Sequence, residues 1–353
     1  MLSVLKFGGS SLKDEDSRKK VANIIKNVKG KVIVVVSAIG RYPDAYATDT
    51  LRSLISAKVT ITESNRLLSV GEIISSVILA DELLQKGIKA ISLSSIQAGL
   101  KVREQKLIDL DVNNIKRKLK EYDVVIVPGF QGIDDEGEIS ILESGDSDYS
   151  AVYIAKKMGL NKVYLYSDVC GIYTGDPKYI ISAKLISHVS YEQALDLSKH
   201  KARIVCQKAL EEGSNEYGFK IYLCSTFISD CHTCIDHNET NIKTMSIDFH
   251  YWLVSFDEDI KGEDKDLLFE KIEENKYMVE EKNLVSLQTK YTKIEEYVKV
   301  HFVGCHLEDD EIYRVFLDQF CQKSYREKNS YYIYNKSQKQ DITLLHDIIV
   351  KEE

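Results

Sequence analysis

The sequence predicts an α/β fold: a mostly parallel sheet with helices on both faces over residues 1–228, then a smaller α+β region over 229–353. Three observations carry this prediction. Through the first two thirds, apolar runs of strand length alternate with amphipathic helical stretches, a pattern that buries strands between helix layers. All three prolines, Pro43, Pro128 and Pro177, precede residue 228, and beyond it charge and tyrosine content rise. Strand-like and helical runs still alternate there, so the remainder is folded rather than a disordered tail.

In chain order, Ser3–Phe7 is the first expected strand and Asp16–Asn27 the first amphipathic helix. The strand Lys31–Val36 follows, then the helix Glu72–Gln85, with Gly87 as its stop signal. Next come Ala90–Ser94 as strand, Val112–Lys120 as helix, Asp123–Val127 as strand, Tyr149–Met158 as helix and Asn161–Tyr166 as strand. In the C-terminal region the alternation runs His250–Phe256, Lys265–Glu274, Leu284–Thr289, Tyr297–Val303, Asp310–Gln322 and Ser330–Tyr334. It reads as two small βαβ-type units in tandem.

The 353 residues suffice for two domains, and a formal charge of −8 with no dense basic block argues against nucleic acid as a partner. No apolar run approaches the roughly 20 residues that span a bilayer. The opening MLSVLKFGGSS lacks the charged segment and cleavage site of a signal peptide, so a cytoplasmic location is expected. The seven cysteines are scattered as reduced thiols are. Cys231 and Cys234 form a CHTC segment with His237 nearby, but a zinc site needs four ligands and no second pair stands at suitable spacing. That segment reads as a plain turn, and no metal site is expected on protein ligands.

Lys6-Phe7-Gly8-Gly9-Ser10-Ser11 directly follows a strand. Two glycines let backbone N–H groups approach anionic oxygens, and a following helix points its positive end at them. Lys6 can reach a phosphate being transferred, and the hydroxyls of Ser10 and Ser11 can bind phosphate or acceptor. The pattern GxxxxGK[ST] is absent, so this is not a Walker loop. Further polar loops close the other strands: Ser37–Arg41 with Tyr46–Thr50, Pro128–Gly132 and Tyr166–Lys178; Ser69–Ser76 opens a helix carrying Glu72. In an open parallel sheet, ligands gather at these strand ends. Glu143–Ala151, ESGDSDYSA, reads as the second half of the same phosphate-transfer site. Taken singly, Asp168 and Asp176 also fit turn formers, Glu72 an acid favoured by the helix dipole, and Tyr173 core packing.

In this order the segments resemble the amino-acid kinase superfamily and, within it, the aspartokinase family. KFGGSS matches KFGGTS, VVVSAIGR with YATDT matches VVSAMGR with YATDTL, and SVGEIISS matches the glutamate-bearing helix. VPGFQGIDDEGEISIL and SDVCGIYTGDPK match two further runs, so the likeness covers residues 2 to 228. The resemblance implies that Lys6, Gly8, Gly9 and Ser10 hold ATP phosphates, and that Thr48, Glu72 and Ser147 place an amino-acid substrate beside Asp148. Ser167, Asp168, Tyr173, Asp176, Lys178 and Arg203 would line the nucleotide pocket, with Mg²⁺ riding on the nucleotide phosphates. The implied reaction is attack of the aspartate side-chain carboxylate on the γ-phosphate, the step that leads towards lysine, threonine and methionine. A carboxylate is already nucleophilic at neutral pH, so alignment and charge neutralisation carry catalysis, and Lys6 and Asp148 are the expected catalytic pair.

Two segments depart from the family. LGRGGSD is LESGDSD here, so Ser144 stands where an arginine clamps the substrate α-carboxylate and Asp146 stands for a glycine. Removing one partner of such a buried pair typically costs about 2–5 kcal/mol. Three explanations compete: a basic residue from another loop (Arg41, Arg52, Arg66 or Arg103) replaces the clamp, the acceptor differs, or the chain is an impaired nucleotide-binding regulatory subunit. At Lys201–Cys206, Lys201 takes a glycine position and Arg203 that of a phosphate-contacting lysine. Residues 229–353 resemble tandem ACT regulatory domains, which implies a homodimer. The loops 257–264 and 305–310 lack proline and are rich in acids, so loss of lysine and threonine sensing is expected.

Overall fold

The computed structural model describes residues 1–304 apart from 144, 201, 203–204, 261 and 269, together with 324–327, 330–334, 342–343, 345–347 and 350. Two compact units are present: Met1–Ile172 with Ser187–Leu195 and Ile204–Glu239, and Tyr173–Ile186 with Asp196–Arg203 and Thr240–Glu353.

The first unit is built on eight strands: β1 (Leu2–Phe7), β2 (Lys31–Val36), β3 (Ala90–Ser92), β4 (Val124–Pro128), β5 (Lys162–Ser167), β6 (His188–Ser190), β7 (Lys220–Ser225) and β8 (His232–Asp236). Their order is β6-β8-β7-β5-β1-β2-β4-β3. Every pairing is parallel except β7 with β8. The central strands are buried along their length, which their near-continuous apolar sequence requires. A side sheet of four short strands, Leu100–Arg103, Lys106–Leu110, Gln131–Ile133 and Ile139–Ile141, completes the unit.

Six helices carry or support the chemistry-bearing residues: α1 (Gly9–Leu12), α2 (Glu15–Asn27), α3 (Ile61–Gln85), α4 (Ser147–Lys157), α5 (Tyr191–Lys199) and α6 (Gln207–Ser214). Val21 and Ile25 of α2 and Leu79 and Leu83 of α3 join Leu5, Phe7, Val34, Val36 and Ile126 of the sheet in one apolar core. Truncating any of its leucines or isoleucines to alanine typically costs about 2–5 kcal/mol.

Two helices differ from expectation. α3 begins at Ile61, not Glu72: the Thr60 hydroxyl caps it by accepting from the Glu63 N–H, and polar first turns hide this start in the sequence. Glu72 therefore lies mid-helix, where a helix-dipole role for its acid does not apply. The helix after the glycine turn is one turn long, ends at Leu12, and gives way to α2, which Asp14 caps through Ser17 N–H.

The second unit carries an antiparallel sheet of β9 (Thr244–Phe256), β10 (Glu270–Glu273), β11 (Lys276–Glu280), β12 (Tyr291–Val303), β13 (Ser324–Glu327) and β14 (Ser330–Tyr334), ordered β10-β11-β9-β12-β14-β13. The stretch 265–274 is not a helix. A 3₁₀ turn, Gly262–Leu267, leads into β10, and Asn275 at φ +59° closes the hairpin to β11. Nor is 284–289 a strand, since the buried Asp264 carboxylate accepts the N–H groups of Gln288 and Thr289 at 2.9 and 2.6 Å and holds them in a turn. The expected helix 310–322 lies outside the described residues.

The cysteines also differ from the reduced pattern. Cys170 and Cys231 form a disulfide, while Cys206, Cys224 and Cys234 are free. The loops after β5 and β7 bring the pair's Cα atoms within 5.3 Å across 61 residues of chain, a proximity that sequence spacing cannot reveal. No described helix is long and apolar enough to cross a membrane.

Candidate phosphate-transfer site

From β1 the chain moves to β2 on one side, while β5 flanks β1 on the other. That is a switch point of the sheet, where a crevice opens at the strand C-termini. Gly8 and Gly9 leave β1 there, Ser167 and Asp168 leave β5, and the Gly8 N–H donates to the Tyr166 carbonyl at 3.2 Å. Gly9 has no room for a side chain: a Cβ would collide with the carbonyl oxygen of Gly40 and stand 2.6 Å from that of Ala38. Gly8 is different. A Cβ there would lie 3.6 Å from Lys6 Nζ, in ordinary contact, so its missing side chain leaves open space beside the ammonium.

Lys6 Nζ lies 2.7 Å from Asp148 Oδ1, and the two side chains are only 11% and 15% exposed. Asp148 sits in the first turn of α4, beside the buried Ser147. Close approach sets that position, for a Cβ on Gly129 at the end of β4 would stand 2.9 Å from the Ser147 Cβ. The next residue, Phe130, adopts φ +68°, a costly conformation for an aromatic side chain, and its N–H donates to Ser150 Oγ at 3.1 Å.

Glu72 is the buried acid of the site. Its Oε1 accepts the Ala38 N–H at 3.0 Å, whereas Oε2 is buried and has no hydrogen-bond partner among the described residues. Burial pushes its carboxyl up to about 8, against the opposing pull of the Ala38 N–H and the Lys6 charge. One residue earlier, Gly71 allows the Tyr46 carbonyl and the Ala38 methyl to approach α3; a Cβ on Gly71 would stand 2.7 Å from each. Thr48 starts the short helix Thr48–Arg52 just beyond that contact.

Ser10 is half-buried beside the glycine turn, while the Ser11 hydroxyl is taken by Thr226 Oγ1 at 2.8 Å. Ser167 Oγ turns on its own loop through Val169 N–H at 3.2 Å, and Asp168 faces Arg41 at 3.5 Å on the exposed rim. Lys6, Gly8, Gly9, Ser10, Thr48, Glu72, Ser147, Asp148, Ser167 and Asp168 thus belong to the first unit. Tyr173, Asp176 and Lys178 belong to the second, where Tyr173 bridges Leu185 and the Asp176 carboxylate accepts the Lys178 N–H at 2.9 Å. Arg203 and Ser144 lie outside the described residues.

One basic group escaped the sequence reading. Lys208 in α6 places Nζ 3.2 Å from Asp146 Oδ2, 3.3 Å from Glu143 Oε1 and 3.1 Å from the Gln105 carbonyl. Asp146 also accepts the Glu143 N–H at 3.2 Å, so its carboxylate closes the ESGD turn and Lys208 neutralises it. Burial raises the Asp146 carboxyl, and Lys208 opposes that shift. Of the four arginines that could replace the clamp, Arg41 faces Asp168, Arg66 faces Glu63 and Glu138, Arg103 faces Asp135, and Arg52 is exposed. The available signal was an acid in a glycine slot, which needs a counter-charge once buried.

Comparison with known proteins places the chain in a family. The model of the Amino acid kinase family matches residues 1–218. The chain is 39% identical over 219 residues to an aspartokinase of Geobacillus stearothermophilus, covering 60% of this chain and 53% of that one. It is 36% identical over 218 residues to aspartokinase 1 of Bacillus subtilis, covering 59% and 54%. The chain therefore spans about half the length of these curated relatives in the matched region. In fold it is similar to E. coli aspartokinase III solved with aspartate and ADP, at a TM-score of 0.72 and 16% identity over 99% of both chains.

Proposed function

We propose, from the premise that this chain belongs to the amino acid kinase family, that it transfers the γ-phosphoryl group of ATP to the side-chain carboxylate of L-aspartate. The observation that carries this reading is the Lys6–Asp148 pair at the sheet switch point, beside a buried Glu72 with one oxygen unpartnered among the described residues. Relatives named aspartokinase, and a fold neighbour holding aspartate and ADP, support the same assignment.

The terminal phosphates of ATP rest over Gly8 and Gly9, and Lys6 stabilises the charge on the phosphoryl group in flight. Asp148 keeps Lys6 oriented. Aspartate enters with its ammonium towards Glu72 Oε2, near the Thr48 and Ser147 hydroxyls. One oxygen of its side-chain carboxylate forms a bond to the γ-phosphorus as the bond to the β–γ bridging oxygen breaks, and ADP leaves with that electron pair. The carboxylate needs no general base, because it is ionised at neutral pH. Mg²⁺ bound with the nucleotide supplies charge neutralisation on the phosphate oxygens. The nearby Asp148 and Asp168 face Lys6 and Arg41, which fits a metal carried on the nucleotide rather than on a protein carboxylate set.

Residues 1–228 are the kinase domain in this reading, and 229–353 a tandem ACT-like region that forms a cytoplasmic homodimer. An altered acceptor or an inactive regulatory subunit is less favoured, since the Lys6–Asp148 pair and the buried Glu72 support phosphoryl transfer to an amino-acid acceptor. A coupled assay for ADP release with aspartate, glutamate and amidated analogues tests the proposal. Turnover with aspartate at ordinary concentrations supports it, and nucleotide binding without turnover of any acceptor overturns it.

A further inference from the structure

Three side chains of the second unit converge on one point. Asp196 and His200 stand one helical turn apart at the end of α5 and so share a face. His301 comes from β12. Nε2 of His200 lies 3.5 Å from Oδ1 of Asp196, and Nε2 of His301 lies 3.4 Å from Oδ2. Charge-assisted hydrogen bonds are shorter, about 2.7–2.9 Å. A tetrahedral ion with bonds of about 2.0–2.1 Å instead sets its ligands roughly 3.3 Å apart, close to the separations seen. Both Nε2 atoms lie near the same carboxylate, but the two imidazoles stack at 3.3 Å between centroids, so the half-exposed His200 ring must turn out of the stack to aim its in-plane lone pair at an ion shared with His301.

We propose that Asp196, His200 and His301 form a binding site for a divalent cation of the zinc class, with water at the fourth position. Two imidazoles and one carboxylate suit such an ion better than Mg²⁺ or Ca²⁺, which prefer all-oxygen sites. The His301 ring is buried while His200 and Asp196 are half-exposed, so the cluster is anchored on one side and reachable from solvent on the other. Lys199, Lys299 and Asp248 line the adjoining cavity with Ser246 and Tyr251. The two ammonium groups weaken cation binding relative to a closed four-ligand site and favour an anionic ligand at the open position. Bound metal would tie the end of α5 to β12.

Isothermal titration of the chelator-treated full chain with Zn²⁺, and visible absorption with Co²⁺, test the site. One equivalent is expected per chain, with the intense bands of tetrahedral Co²⁺ and a raised melting temperature. His200→Ala and Asp196→Asn, both at half-exposed positions, should each weaken binding at least about tenfold. His232→Ala, outside the cluster, should leave it unchanged. Absence of saturable binding, or equal affinity in wild type and both cluster variants, overturns the proposal and leaves a hydrogen-bonded histidine pair.

Discussion

Lys6 at the end of β1 and Asp148 in the first turn of α4 form an ion pair of 2.7 Å between two largely buried side chains. The pair joins Lys6 to the same helix turn that carries Ser147. In the proposed reaction the ammonium meets negative charge that grows on the transferring phosphoryl group, and the carboxylate fixes where it points. Lys6→Met should lower kcat by roughly 10²–10³, the usual cost of losing one preorganised charge or donor. Asp148→Asn should lower it less while leaving nucleotide affinity close to wild type. Single-turnover rates at saturating ATP measure both, and unchanged turnover in Lys6→Met would remove the lysine from the chemistry.

Glu72 provides a proton-linked test. Its carboxyl is held at about 8 when folded, against 4.5 as its ordinary value, so the folded chain keeps a proton that the unfolded chain releases. This contribution to stability is full below about pH 4.5 and is lost as pH rises through about 8. Glu72→Gln should flatten that decline, measured as the urea midpoint across the interval. An incoming substrate ammonium favours the ionised acid, so aspartate binding near neutral pH should release a proton. Titration heats in buffers of different ionisation enthalpy would then diverge for wild type and coincide for Glu72→Gln. Coincident heats in wild type would separate Glu72 from the substrate ammonium.

Much of the first unit was legible because its cause is local. The strands around Val4, Val34, Val125 and Leu165 are apolar runs of strand length, and such runs have few alternatives once helices flank them. The start of α3 was not, because its capped first turns are polar and carry no apolar periodicity. The hairpin of β10 and β11 was missed for a related reason. Leu267, Leu268 and Ile272 fit a helical face as well as a strand, and Asn275 in the left-handed region decides between them. At the site, Lys6, Gly8, Gly9 and Asp148 could be named from order along the chain. Lys208 could not, since its partner Asp146 lies 62 residues away and only the packing of α6 against α4 brings them together.

The two glycines separate structure from binding. At Gly9 an added methyl meets backbone carbonyls of Ala38 and Gly40, which cannot retreat as a side chain would. Gly9→Ala should therefore destabilise the chain by about 1–3 kcal/mol, the usual cost of overpacking. At Gly8 the methyl finds ordinary contacts, so Gly8→Ala should melt near wild type. That methyl would occupy the space beside Lys6, however, and nucleotide affinity should fall. Thermal melts with ATP titrations distinguish the two variants, and unimpaired ATP binding by a folded Gly8→Ala chain would move the phosphates elsewhere.

Asp146 and Lys208 give the last test, because each explains the other. A buried carboxylate in the ESGD turn requires the ammonium, and without that carboxylate the ammonium would be free to meet a substrate anion. Asp146→Gly should therefore improve apparent aspartate affinity, and adding Ser144→Arg should raise aspartate turnover further by restoring a bidentate clamp. Lys208→Met should do the opposite, destabilising the turn and raising KM. The double variant Asp146→Gly/Lys208→Met should recover stability but not affinity, with a coupling energy of about 0.5–3 kcal/mol in the stability cycle. Additive stability effects would show that the pair does not hold the turn. An unchanged KM in Lys208→Met would show that its charge does not reach the substrate.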